Sequence, residues 1–181
     1  VENDAYKLWQ KEIVLFNAGM KDIGILESQI SRVDPPLKQK QIEVEDSKRL
    51  LAREHNERLI GISKDYSTTF VGEVMVKLSM IPQLAENPEL VSSYDNDPAF
   101  LHDHFLDYVD FTDERVIFSS LLGKKYDAYL NQYTHFTPEE LEGSVDILLE
   151  KSKANNLVLE FTIQYLIDFF QNNGPDELVD Y

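Results

Sequence analysis

The sequence predicts an all-α fold, with a long N-terminal helical hairpin followed by a compact bundle of about four helices. Three observations predict it. Glycine is sparse, seven in 181 residues, while Leu, Ile, Glu, Lys, Asp and Gln supply much of the rest, a usage that favours helix over a turn-rich β fold. Apolar residues in the first thirty positions recur at alternating steps of three and four. In the second half, hydroxyl and carboxylate residues standing just before proline or acid mark helix starts. At 43% hydrophobic, a chain of this length buries about two-thirds of its unfolded surface and is globular.

The first helix is justified by Tyr6, Trp9, Ile13, Phe16, Met20, Ile23 and Ile30, a coiled-coil-like seam that Glu27 alone interrupts. Asn3 or Asp4 is expected to cap it, and Pro35 and Pro36 to end it at Val33 or Asp34. Such a rod is about 45 Å long. A second helix is expected from Leu37 to Ser63 or beyond, with Val44, Leu51, His55 and Ile62 on one face and Glu45/Arg49 and Glu54/Arg58 as i,i+4 pairs. Helix propensity alone does not hold such a hairpin, so it must pack on itself, on the second region or on another copy; pairing of two copies through the hairpin is one expectation. Phe70, Val71, Val74, Met75, Leu78 and Ile81 predict a docking helix over 67–80 that Pro82 ends. The prolines, asparagines and Ser-Ser-Tyr-Asp run of 82–97 predict a linker of loop or short turns.

Three caps predict the next three helices: Asp97 before Pro98 for 98–108, Thr112 before Asp113 and Glu114 for 113–132, and Thr137 with Glu140 three residues on for 138–153. A fourth is expected over 156–172 on a stripe of Leu159, Ile163, Leu166, Ile167 and Phe170, ended by Asn173-Gly174-Pro175. The run from Asp176 to Val179 starts something new, as if the natural chain continues. The expected organisation is therefore 1–81, hairpin and docking helix; 82–97, linker; 98–181, acidic helical bundle.

Charge divides the chain at the same place. Residues 1–80 hold 12 Lys and Arg against 13 Asp and Glu, whereas 81–181 hold 5 against 20, a net of −15. A surface of that sign repels phosphate, which argues against nucleic acid and anionic membranes as partners. Zero cysteine excludes thiol nucleophiles, disulfides and thiolate zinc sites without fixing a compartment. The most apolar stretch, 70–81, is cut by Gly72, Glu73 and Lys77, too short and too polar to span a bilayer.

Candidate chemistry centres on His102, Asp103, His104 and Asp107, whose nitrogens and oxygens could ligate a divalent metal. Helical spacing opposes it: His102 and His104 lie about 200° apart, and only His104 falls beside Asp107 or Tyr108. Asp110, Asp113, Glu114 and Arg115 read as a capped helix start with one ion pair, and Phe100, Phe105, Tyr108 and Phe111 as core, with a protein-binding groove as the alternative. Gly123-Lys124-Lys125 lacks the rest of a phosphate loop, and Gly143-Ser144 lacks the context of a nucleophile elbow.

The run FLHDHFLDYVDFTDER (100–115), the turn over 125–129 and LLEKSKANN (148–156) resemble the helical domain of unknown function found in envelope thioredoxin-like (TlpA-like) proteins of the Bacteroidetes type. The resemblance covers a little under half of the chain, and residues 116–120 lack the arginine and the proline-bearing turn of that pattern. It implies a non-catalytic, cofactor-free accessory module that positions a thioredoxin domain or its clients, as part of a periplasmic or lipoprotein-anchored chain in the cell envelope. Its partners would be other domains of the same polypeptide and client proteins. On the protein-binding alternative for this run, the candidate partner-contact residues are Phe100, His104, Phe105, Tyr108, Asp110, Phe111 and Arg115. Two alternatives stand beside it: a free-standing helical adaptor, and a metal-dependent hydrolase with a site around His104 and Asp107.

Overall fold

The computed structural model describes residues 1–33, 37–94 and 96–173. Seven α-helices and no strand occur among them, so the fold is all-α, a hairpin and a bundle. The chain divides into two compact units, Val1–Gln83 and Leu84–Tyr181.

In the N-terminal unit, α1 (Glu2–Ile30) and α2 (Lys38–Asp65) form the hairpin. The seam of α1 is rotated from the expected one. Ala5, Trp9 and Glu12 are buried, while Tyr6 and Met20 are 43% and 36% exposed. Two residues that an apolar pattern skips explain the rotation. Glu12 can face inward because α2 supplies it with two partners, and Gly19 lets α2 approach so closely that a Cβ there would lie 2.7 Å from a Leu51 methyl. Asn3 and Asp4 sit inside α1 rather than capping it, and the helix ends at Ile30, before the expected stop. The Pro35–Pro36 break lies outside the described residues.

The docking segment is wound more loosely than a plain helix: a π-helical turn, Val71–Met75, leads into the single turn α3 (Val76–Ser79). Side chains claim the groups that would otherwise form regular helix. Glu2 accepts from the amides of Phe70 (3.2 Å) and Val71 (3.1 Å), and Thr69 Oγ1 accepts from Gly72 N at 3.0 Å. Only glycine fits at 72, since a Cβ would stand 2.1 Å from the Tyr66 carbonyl oxygen. Asn56 then clasps the exit, giving its amide N–H to the Ile81 carbonyl (2.6 Å) and accepting the Ile81 N–H (3.0 Å).

The C-terminal unit opens with two 3₁₀ turns, Leu84–Glu86 and Val91–Ser93. Helix α4 (Asp97–His104) is capped by Asn96, not Asp97, and stops four residues short of the expected end. Asp113 rather than Thr112 caps the next element, a 3₁₀ turn over Glu114–Phe118; Asp110 takes the Thr112 amide and hydroxyl instead. The expected long helix over 113–132 is thus three pieces: that turn, α5 (Leu121–Ala128), and a π-helical turn, Tyr129–Tyr133. Thr137 caps α6 (Pro138–Ser152) as its sequence signal indicates. Asn155 caps α7 (Asn156–Asn173), accepting from Leu157 N at 2.9 Å. The buried stripe of α7 is Val158, Thr162, Leu166, Phe169 and Phe170, and Ile163 and Ile167, expected inside, are exposed. The glycine-proline stop at 174–175 and the run after it lie outside the described residues.

The core of this unit gathers Phe100, Leu122, Tyr126, Tyr129, Leu130, Leu141, Leu148 and Val158, each at most 1% exposed. Its buried polar groups are mostly neutral hydroxyls that satisfy one another: Tyr126 Oη meets Thr162 Oγ1 at 2.9 Å, Ser152 Oγ meets Thr162 Oγ1 at 2.8 Å, and Thr134 Oγ1 meets Ser144 Oγ at 2.8 Å.

Candidate functional site

Residues 100–115 fold into a short helix and turns because Asn96 starts α4 and Asp110 and Asp113 each hold a tight turn after it. Of the seven expected contact residues, Phe100, Phe105 and Phe111 are buried. Phe100 stacks on the His104 ring at 4.6 Å, and Phe105 meets Tyr133 at 4.5 Å. A partner therefore cannot reach these three rings without opening the unit, and their burial follows from the ordinary gain of enclosing an aromatic side chain. Tyr108 is half-buried, His104 is partly exposed, and Asp110 and Arg115 are exposed. Arg115 grips Asp113 with Nε at 3.0 Å and Nη2 at 2.8 Å, a two-point local pair.

Around His104 the polar groups form a chain. Tyr94 Oη donates to Asp103 Oδ2 at 2.8 Å and lies 3.0 Å from His104 Nε2, while His104 Nδ1 lies 2.7 Å from Asp107 Oδ2. His102 Nδ1 stands 2.9 Å from Asp103 Oδ1. Its Nε2 is buried and finds no partner among the described residues. Burial acts to raise the Asp103 pKa, but the bonds from His102 and Tyr94 outweigh it and hold the carboxyl below the usual carboxylate range. The Tyr94 hydroxyl is pushed up by its bond to Asp103. His102 and His104 serve different carboxylates, as their angular separation requires, and no three His, Asp or Glu side chains converge on a metal-sized point among the described residues.

Beside this chain lies a cleft of about 470 Å³ whose lining includes Tyr94, His102, Asp103, Tyr133, His135 and Glu140. Tyr94 and Asn96 precede α4, Tyr133 ends the second π-helical turn, and Glu140 stands in the first turn of α6. These positions are far apart in sequence, and the cleft is not legible there.

Two further clusters escaped the sequence patterns. Lys125, on α5, is 5% exposed with its ammonium 4.4 Å from the centre of the Phe105 ring, and burial pulls its pKa down to about 7. In the hairpin, Glu12 (4% exposed) receives His55 Nδ1 at 2.7 Å and Arg58 Nε at 2.7 Å. His55, 1% exposed, stacks on Phe16 with ring centres 4.1 Å apart. Burial lowers the His55 pKa against the opposing pull of Glu12 and of a backbone bond at Ser79. The i,i+7 and i,i+3 signals in a charged helix gave no sign that one acid on α1 would meet both. Trp9 Nε1 completes the seam by donating to Ser79 Oγ at 2.9 Å.

No family model, no curated protein and no solved structure matches the chain. The outer faces of the hairpin carry unusual apolar exposure: Leu8, Val14, Leu15, Ile25 and Leu26 of α1 and Ile42 and Leu50 of α2 are about half exposed. No described helix is long and apolar enough to cross a membrane.

Proposed function

We propose that this chain is a non-catalytic helical interaction module. The observation that carries the reading is the set of half-exposed leucines of α1, Leu8, Leu15 and Leu26, which lie along one side of the helix at steps of seven and eleven residues while the seam itself is already filled. Scattered apolar exposure needs no explanation, whereas a repeated stripe along a rod of this length suits a helix-in-groove or helix-pair contact with another protein. The polar clusters support the same reading: Glu12 and His55 are buried in the hairpin with exposed Arg58 on the outer side of the carboxylate, and His104 spends its ring nitrogens on Tyr94 and Asp107.

The finer part of the proposal, attachment to an envelope thioredoxin-like domain, rests on the residue pattern over 100–115 and 148–156. The competing hydrolase reading places its weight on His104 and Asp107. Photo-cross-linkers at Leu15 and Leu26 in the native full-length protein test the proposal, with Leu15→Glu/Leu26→Glu and His104→Ala as paired variants. The module reading expects discrete adducts at the stripe, loss of function in the stripe variant and little change in His104→Ala. Function lost in His104→Ala alone, with the fold intact, would sink it in favour of catalysis. Sequencing the native gene on both sides decides the finer part: a Cys-x-x-Cys in a strand-helix context downstream sustains the attachment, and a stop codon shortly after Tyr181 removes it.

A further inference from the structure

We infer that the cleft beside α4 is a docking site for a basic polypeptide segment, taking one arginine or lysine side chain between Tyr133, Tyr94 and the carboxylates of Asp103 and Glu140. The proposal concerns the C-terminal unit alone and does not depend on the leucine stripe of the hairpin.

Four features of the cleft converge on a cation. Its volume, about 470 Å³, is within the range of sites that enclose a side chain or small ligand. No lysine or arginine lines it, while Asp103 and Glu140 do. Asp103 is an ordered carboxylate, fixed by Tyr94 on one oxygen and His102 on the other, and each oxygen retains a second lone pair for a guanidinium or ammonium. Tyr133 and Tyr94 bring aromatic surface to the same cleft, where a cation is attracted to a ring face.

The carboxylates set a chemical preference: arginine and lysine heads carry donors and no acceptor, and a carboxylate or phosphate carries the reverse. The surrounding field agrees, since residues 81–181 carry 20 acidic against 5 basic side chains, a balance that steers a basic segment inward and repels an acidic one. No three His, Asp or Glu side chains converge there on a metal-sized point among the described residues.

The test uses the full chain and a short Arg-Ser repeat peptide, with a Glu-Ser repeat as its opposite, followed by calorimetry and by the NMR signals of His102, His135 and Tyr133. The Arg-Ser peptide is expected to bind, to move those three signals and to weaken with added salt; the Glu-Ser peptide is expected not to bind. Asp103→Asn/Glu140→Gln should weaken binding about tenfold, against less than about twofold for Glu150→Gln/Glu160→Gln, which removes the same charge from exposed sites elsewhere. Glu140→Arg, an exposed change that leaves the Tyr94–Asp103–His102 bonds intact, should weaken it at least as much. Equal loss in both pairs would show undirected attraction to an acidic surface and overturn the proposal, as would binding undiminished in Glu140→Arg or no binding by the Arg-Ser peptide.

Discussion

The two units solve the same problem, buried polar groups, in opposite ways. The hairpin buries an acid, Glu12, in its seam, held by buried His55 and by Arg58 from the exposed side. The C-terminal unit buries mostly neutral hydroxyls, Tyr126, Ser152 and Thr162 in one set and Thr134 and Ser144 in another, with Lys125 as its exception. An ion pair specifies one register of two long helices, because any slip strands a buried charge, whereas hydroxyls tolerate exchange among themselves at modest cost. A hairpin whose outer faces are themselves apolar needs such a device, since its leucines would otherwise compete for the seam.

The comparison breaks most easily at Glu12. Glu12→Ala leaves the buried His55 Nδ1 without its partner and should cost about 1–3 kcal/mol, read as a fall in denaturant midpoint with loss of amide protection in α1 and α2. A cost under about 1 kcal/mol would mean that the pair specifies nothing. The same seam should weaken on the acid side. A buried imidazole with its pKa lowered contributes stability that is present above the unfolded value of about 6.5 and is lost as pH falls below it, because the unfolded chain then binds the proton first.

Lys125→Met should act in the other direction and at the other end of the pH scale. With its pKa drawn from 10.5 to about 7, the folded lysine loses its proton before the unfolded one, so the wild type gains stability as pH rises from about 7 to 10.5. Methionine removes the penalty, stabilising the C-terminal unit by about 3 kcal/mol at pH 6 and flattening that slope. A gain that does not vary with pH would refute the titration account.

Smaller effects sharpen the contrast. Thr162→Val removes the shared partner of Tyr126 and Ser152 and should cost about 1–2 kcal/mol, with no pH or salt dependence in a thermal melt. Lys48→Met severs exposed pairs to Glu27 at 2.8 Å and Glu45 at 3.0 Å and should cost at most about 0.5 kcal/mol, vanishing in high salt. Salt sensitivity in Thr162→Val, or its absence in Lys48→Met, would erase the distinction drawn between the units.

Much of the candidate site was written in the run over 100–115, since the Asp113–Arg115 pair and the neighbourhood of His104 and Asp107 are local along the chain. What the run could not show is that three of its four aromatics point inward, because a repeat of every three to five residues is the same for a core and for a groove. The cleft wall from Tyr133, His135 and Glu140 comes from other elements, so no spacing in the run points to it.

The sequence by itself determined the helical class, the hairpin, the cap of α6 at Thr137 and the division of charge, all of which depend on neighbours within a few residues or on composition. Tertiary structure alone decided which face of α1 is buried, where the helix expected over 113–132 breaks, and which polar groups lie inside. Glu12 turns inward only because α2 presents His55 and Arg58, and Gly72 is required only because the Tyr66 carbonyl stands 2.1 Å from where a Cβ would be. The physical reason is the same in each case: the free energy of burying a polar or crowded group depends on its partner, and the partner is supplied by the fold.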